Sequence, residues 1–235
     1  MRDYALLIIT SFFTISLSQA KTLRYNGEAF KKNQLVYREF HEVIYDKKGN
    51  LQRSKTEYKA PDGSLLSEIE SDFSNSHSAP AHVLKDFTSN RTFGIRYINK
   101  QQGVMFHKNP NEEEKVKELP TPEKDELLVA GQGLNYFIVE NLDYVLSQEK
   151  IPIKFLLPSV FDYFRFTLQP LTNNTSDIIE FQLKVKSFWL KLFAPKMLLK
   201  YDKLTKRIIY FKGLSNIREK NGDRQVVEIT YSYDN

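Results

Sequence analysis

Residues 127–158, LLVAGQGLNYFIVENLDYVLSQEKIPIKFLLP, decide how the chain reads, because the hydrophobic period changes inside them. At 100° per residue, Leu134, Ile138, Leu142 and Val145 fall within about an 80° arc with Phe137 and Leu146 at its edges, which predicts one helix over about residues 131–148. Tyr136, Glu140, Asp143 and Ser147 lie opposite. Asn141 falls inside the apolar arc, either bonding a neighbouring strand carbonyl or serving as a polar anchor at a ligand-binding face. Gly131-Gln132-Gly133 invites comparison with a dinucleotide loop, but the third glycine would fall at Tyr136 and no βαβ repeat follows. The two glycines predict a sharp turn into the helix instead. After it, residues 151–157 return to an extended apolar run.

Outward from this stretch, both flanks show period two. Downstream, Phe164, Phe166 and Leu168 alternate with Arg165, Thr167 and Gln169; Ile179, Phe181, Leu183 and Val185 alternate with Glu180, Gln182, Lys184 and Lys186. Alternation of this kind means one buried and one wet face. Residues 187–193, including Trp189, are apolar on both faces, and three further strands are expected at 197–201, 207–212 and 225–233. Upstream, strands are expected at 23–30 and 34–46, where Val36, Phe40 and Ile44 alternate with Arg38, Glu42 and Asp46 while Tyr37 and Val43 make both faces partly apolar. Strands at 51–60 and 65–73 are joined by the turn Pro61-Asp62-Gly63. Glu68, Glu70 and Asp72 share a face, but neighbours roughly 6–7 Å apart are too widely spaced to hold calcium unaided. A two-residue hairpin register sets Lys55 opposite Glu68 and Arg53 opposite Glu70, so charge pairs on a wet face account for them. His77 and His82 belong to a surface loop and its border, with no zinc-motif spacing. Strands resume at 83–87, 92–99 and 103–107, and residues 107–126 form a long polar connection with prolines on either side of Thr121.

The fold class that follows is mainly β (α+β): a curved antiparallel sheet or half-barrel of about ten to twelve strands with one helix packed across it. Residues 21–235 form a single domain. Residues 1–20 read as a signal peptide, with Arg2, an apolar run of about 14 residues and small residues Ser18 and Ala20 before a cleavage site after Ala20. The chain contains no cysteine, so no lipid-bearing cysteine follows the signal and no disulfide supports the core. A periplasmic location fits both features.

Charge is unevenly distributed. Residues 181–220 hold eleven Lys or Arg against Asp202 and Glu219, whereas residues 107–149 hold four against ten acidic residues. Basic strands with interleaved aromatics can bind nucleic acid, but an exported chain meets an anionic membrane surface or an acidic envelope protein instead. The plainer reading is a solvated face balanced by the acidic stretch. No Gly-x-Ser-x-Gly elbow, thiol nucleophile or P-loop is present, and the four histidines are isolated in sequence. Ser147-Gln148-Glu149-Lys150 matches Ser-x-x-Lys without its companion Ser-Asp-Asn and Lys-Thr-Gly elements. A non-enzymatic protein without a cofactor is expected; a hydrolase would need His or carboxylate groups converging in a cleft.

The succession of antiparallel strands with one helix laid across them resembles the periplasmic lipoprotein-localisation carriers and their half-barrel relatives. Tyr201-Asp202, Tyr210, Gly213-Leu214-Ser215-Asn216-Ile217 and Asn221-Gly222 also look like the end of an uncharacterised family of bacterial exported proteins. The half-barrel resemblance implies an incomplete barrel around a helical plug, with a concave apolar face that accepts acyl chains. The expected ligand is lipid-like or otherwise hydrophobic, held between sheet and helix. From the helix, Leu134, Phe137, Ile138, Asn141, Leu142 and Val145 are the candidate contacts; from the strands, Phe164, Phe166, Phe181, Leu183 and Trp189. The rival reading is an envelope assembly or interaction factor docking through the basic strand face.

Overall fold

The computed structural model describes residues 20–100, 102–171, 177–185, 197–219 and 221–234. Residues 1–19 and Trp189 lie outside the described residues, so the signal peptide and that candidate contact are not located. The N-terminal strands are β1 (Lys21–Lys31), β2 (Gln34–Tyr45), β3 (Leu51–Lys59), β4 (Leu65–Asp72), β5 (Ala81–Asp86), β6 (Arg91–Tyr97), β7 (Gly103–Lys108) and β8 (Lys115–Glu118). The C-terminal strands are β9 (Leu127–Ala130), β10 (Ile151–Leu157), β11 (Asp162–Leu171), β12 (Ile178–Val185), β13 (Met197–Asp202), β14 (Ile208–Leu214) and β15 (Val226–Tyr233). Two short helices, α1 (Gly133–Glu140) and α2 (Leu142–Ser147), lie between β9 and β10.

All fifteen described strands form one sheet in the order β8-β7-β6-β5-β4-β3-β2-β1-β15-β14-β13-β12-β11-β10-β9. From β1 in the middle of the sheet the strands run to one edge, cross to the other and return until β15 pairs with β1. Among the described strands only β9 and β10 run parallel, and a parallel pair needs a crossover of a dozen or more residues. The two helices supply that crossover. The sheet is not closed by strand pairing, because β8 and β9 are not paired. Its ends instead meet through side chains and a backbone bond: Ala79, Ile95 and Met105 pack on Ala130 and Leu156, Lys117 Nζ donates to the Phe161 carbonyl at 2.8 Å, and the Ala130 N–H donates to the Ser78 carbonyl at 3.0 Å.

The mainly β, curved and open sheet agrees with expectation, but the count of ten to twelve strands was low. The polar connection contains β8, whose four residues, Lys-Val-Lys-Glu, are all exposed. A strand with no buried face leaves no hydrophobic alternation to read, and its charges suit an edge. The single helix is also corrected. It breaks at Asn141 (φ −117°, ψ 30°), whose Nδ2 donates back to the Phe137 carbonyl at 2.9 Å. Asn141 is exposed and touches neither a strand carbonyl nor a ligand face, because the break turns it out of the apolar arc. Tyr136, expected on the wet side, is buried against Phe73 with ring centroids 4.9 Å apart. Helix α1 is covered on both sides, with Leu134 and Ile138 against the C-terminal strands and Tyr136 against the N-terminal ones. It is a plug.

Of the two glycines, Gly131 turns the chain as expected, whereas Gly133, the first residue of α1, allows a close approach to the chain before β5. Gly131 has φ +51°, and a Cβ on Gly133 would lie 2.0 Å from the Ser78 carbonyl oxygen. In the β3–β4 hairpin the observed partners are Arg53↔Asp72 and Lys55↔Glu70, because a turn of three residues closed between Ala60 and Ser64 and a one-residue bulge at Tyr58/Lys59 each move the register by one. Lys55 still reaches Glu68 diagonally at 3.4 Å. Described cations of the basic stretch pair with neighbouring strands rather than with the acidic connection: Lys200 with Glu180 and Lys212 with Glu228. The acidic connection is used locally. Glu126 and Lys154 form an almost wholly buried ion pair at 2.9 Å, and Lys154 also donates to the Thr121 carbonyl. Burial pushes the Glu126 carboxyl up, but bonds from Lys154, the Glu123 N–H and Arg165 outweigh it and hold it below the usual range.

Candidate ligand-binding cavity

The two wings of the sheet line their common interior with different chemistry. In β2 the odd residues Tyr37, Glu39, His41 and Val43 point inward, while Phe40 and Ile44 lie on the exposed outer face with Glu42. Ser54 and Thr56 of β3, Ser67 and Ser71 of β4 and His82 of β5 are also buried. His82, expected at the border of a surface loop, is an interior residue because β5 begins two residues earlier than expected, at Ala81. Burial lowers its pKa, partly offset by its Nδ1 contact with the Pro80 carbonyl. Opposite, β10 to β14 present Ile153, Phe166, Leu168, Phe181, Leu183, Leu199 and Ile208.

The polar wall is internally bonded. His41 lies 2.9 Å from Glu39 Oε2 through Nε2 and 2.8 Å from Thr56 Oγ1 through Nδ1. Gln132, just before α1, donates to Thr56 and accepts from Ser54 at 2.7 Å. One tautomer satisfies every contact: Ser54 donates to Gln132, Gln132 to Thr56, Thr56 to His41 and His41 to Glu39. The ring of His41 stacks on Tyr25 with centroids 4.2 Å apart. The order carboxylate, imidazole, hydroxyl resembles a hydrolytic relay, yet Thr56 is fully buried behind the wall with its hydroxyl enclosed by Gln132 and His41. Thr56 is thereby not presented to the interior as a nucleophile. The network ties β2 and β3 to the start of the plug.

Between the walls is a cavity of about 310 Å³. Phe155, Phe164, Phe166, Leu183, Met197, Leu199 and Phe211 form one side; Tyr37, Glu39, His41, Tyr58 and His82, interspersed with Ile69, Leu84 and Phe93, form the other; Gln132, Leu134 and Asn135 belong to the plug that ends it. Burial raises the hydroxyl pKa values of Tyr37 and Tyr58, so both remain protonated donors. The exposed lining residues are Asn216, Arg218 and Arg224, which mark the opening, with Asp86 and Arg91 half-buried beside them. Ser215 and Asn216 are tied down there, Ser215 Oγ by Tyr37 Oη at 2.9 Å and Asn216 Nδ2 by Tyr58 Oη at 3.4 Å.

Among the expected contact residues, Leu134, Phe164, Phe166 and Leu183 line this cavity. Ile138, Leu142, Val145 and Phe181 are packed core, and Phe137 packs against that core, so the space lies beyond the N-terminal end of α1 rather than beneath its middle. Sequence reading missed the polar wall and the arginines. The odd residues of β2 carried a signal in Tyr37 and Val43, but Phe40 and Ile44 made the other face equally plausible. Among the described residues, no group of three or more His, Asp or Glu side chains could hold a metal ion. None of their helices is long and apolar enough to cross a membrane.

No family model and no curated protein matches the chain. A solved structure to which it is similar is a beta-barrel-like protein of the domain of unknown function DUF1849 from Brucella abortus, 8% identical, with 93% of this chain and 96% of that one covered and a TM-score of 0.33.

Proposed function

We propose that the protein is a non-enzymatic binding or carrier protein of the bacterial cell envelope that holds a lipid-like or other hydrophobic ligand inside its curved sheet. The observation that carries this reading is the cavity of about 310 Å³, with aromatic and aliphatic side chains on one side and an opening at Asn216, Arg218 and Arg224. Small-molecule sites commonly enclose about 300–1,000 Å³ and combine apolar walls with a few placed polar groups. Export with cleavage after Ala20 is part of the proposal, and it would leave β1 intact from Lys21.

The test uses delipidated protein and a neutral fluorescent apolar probe such as N-phenyl-1-naphthylamine. Saturable one-site binding is expected, weakened at least tenfold by Met197→Trp, which fills the cavity from a half-buried wall position. Absence of saturable binding, or binding indifferent to Met197→Trp in a variant that unfolds like the parent, would overturn the proposal.

A further inference from the structure

The opening of the cavity has a charge imbalance that the fold does not resolve. Arg91, Arg218 and Arg224 all line it, and the carboxylate lining that end is Asp86. The acceptor capacity of Asp86 is already used: Oδ1 takes the Thr88 N–H and hydroxyl and the Ser89 N–H, while Oδ2 takes the Ser89 hydroxyl and Arg91 Nη2. Asp223, the other carboxylate acting on Arg218, accepts from Asn221. Arg218 spends Nη1 on the Gly222 carbonyl, leaving most of its five donors for another acceptor. Desolvation, then the proximity of Arg91 and Arg224, lowers the proton affinity of its guanidinium. Like charges gathered at a partly desolvated rim repel one another unless an anion joins them.

Resting on the reading of the cavity as a hydrophobic-ligand site, we infer that its ligand is a single-chain anionic amphiphile, with a carboxylate or phosphate head held by Arg218, Arg224 and Arg91 and its chain along the aromatic wall. Orientation follows from the deeper residues. Glu39 is buried and lines the same cavity, so an anionic head at depth would meet a carboxylate, whereas at the opening it meets guanidinium groups. Planar guanidinium forks suit carboxylate and phosphate oxygens. Chain number follows from size: about 310 Å³ is near the lower end of small-molecule sites, at about 300 Å³, and leaves room for one chain rather than two.

Isothermal titration of delipidated protein with dodecanoate, dodecyl phosphate, dodecanol and inorganic phosphate separates the contributions. Both anionic chains are expected to bind at least tenfold more tightly than dodecanol, with affinity falling as salt is raised. The exposed double variant Arg218→Gln/Arg224→Gln should lose that advantage while binding dodecanol as the parent does. Equal affinity for dodecanoate and dodecanol, unchanged by the double variant, would overturn the head-group assignment and leave the hydrophobic-ligand reading standing. Inorganic phosphate binding as tightly as dodecyl phosphate would overturn it in favour of a free-anion site. Failure of every chain, the neutral one included, would remove the underlying reading with it.

Discussion

The N-terminal and C-terminal wings share one sheet and one interior and both bury apolar side chains, Tyr58, Ile69 and Leu84 among the N-terminal ones, but they differ in the polar residues they bury. Seven buried polar residues, Glu39, His41, Ser54, Thr56, Ser67, Ser71 and His82, belong to β2–β5, whereas the C-terminal strands turn Phe, Leu, Ile and Tyr toward the same space. Among the described residues of the C-terminal wing, the buried Lys154 is paired with Glu126 rather than placed among the apolar side chains lining the interior. All four histidines precede residue 108. Apolar burial supplies non-directional stabilisation on one side, and on the other a directional network fixes side-chain positions. An interior built this way has one largely apolar face and one on which hydrogen-bonding groups stand among apolar side chains.

The contrast can be broken most severely from the apolar side. Ile138→Ala should cost about 2–5 kcal/mol in urea denaturation, because a fully buried plug residue would leave a cavity among β10–β13 side chains. Thr56→Val, nearly isosteric, should cost about 1–3 kcal/mol by leaving Gln132 and His41 without their shared hydroxyl. A cost below measurement error for Thr56→Val would mean the network does not hold the polar wall together.

Acid sharpens the comparison further. Because burial depresses the His82 pKa, that residue contributes stability that is complete above the unfolded value of about 6.5 and is lost as pH falls through the lower folded one. His82→Gln should flatten stability across that interval. Glu126, also depressed, acts in a different window: its contribution is present above about 4.3 and lost as pH falls through the lower folded value. Glu126→Gln should therefore reduce only the more acidic slope, and loss of the pH 6 slope in Glu126→Gln would refute the separation. The smallest effect belongs to the outer face, where Lys85→Ala removes a half-exposed contact to Glu68 and should change stability by less than about 1 kcal/mol.

Local pattern was enough to identify a β-rich chain, the buried faces of β11 and β12, the wet charged faces of β3 and β4, and the turn at Gly131. Each depends on spacing within a few residues, where period two or a positive φ leaves a direct trace. The same logic located a helix over residues 131–148 but not its break, since Asn141 turns outward only through its own backbone dihedrals. It could not choose the inner face of β2, because Phe40 and Ile44 compete with Tyr37 and Val43 for burial. Only tertiary structure decided that β1 pairs with β15, that β9 joins β10 in parallel, and that Glu39, His41, Thr56 and Gln132 meet. It also brought Arg91, Arg218 and Arg224 to one opening. These contacts join residues far apart in the chain, and no local period encodes which distant strand will be the neighbour.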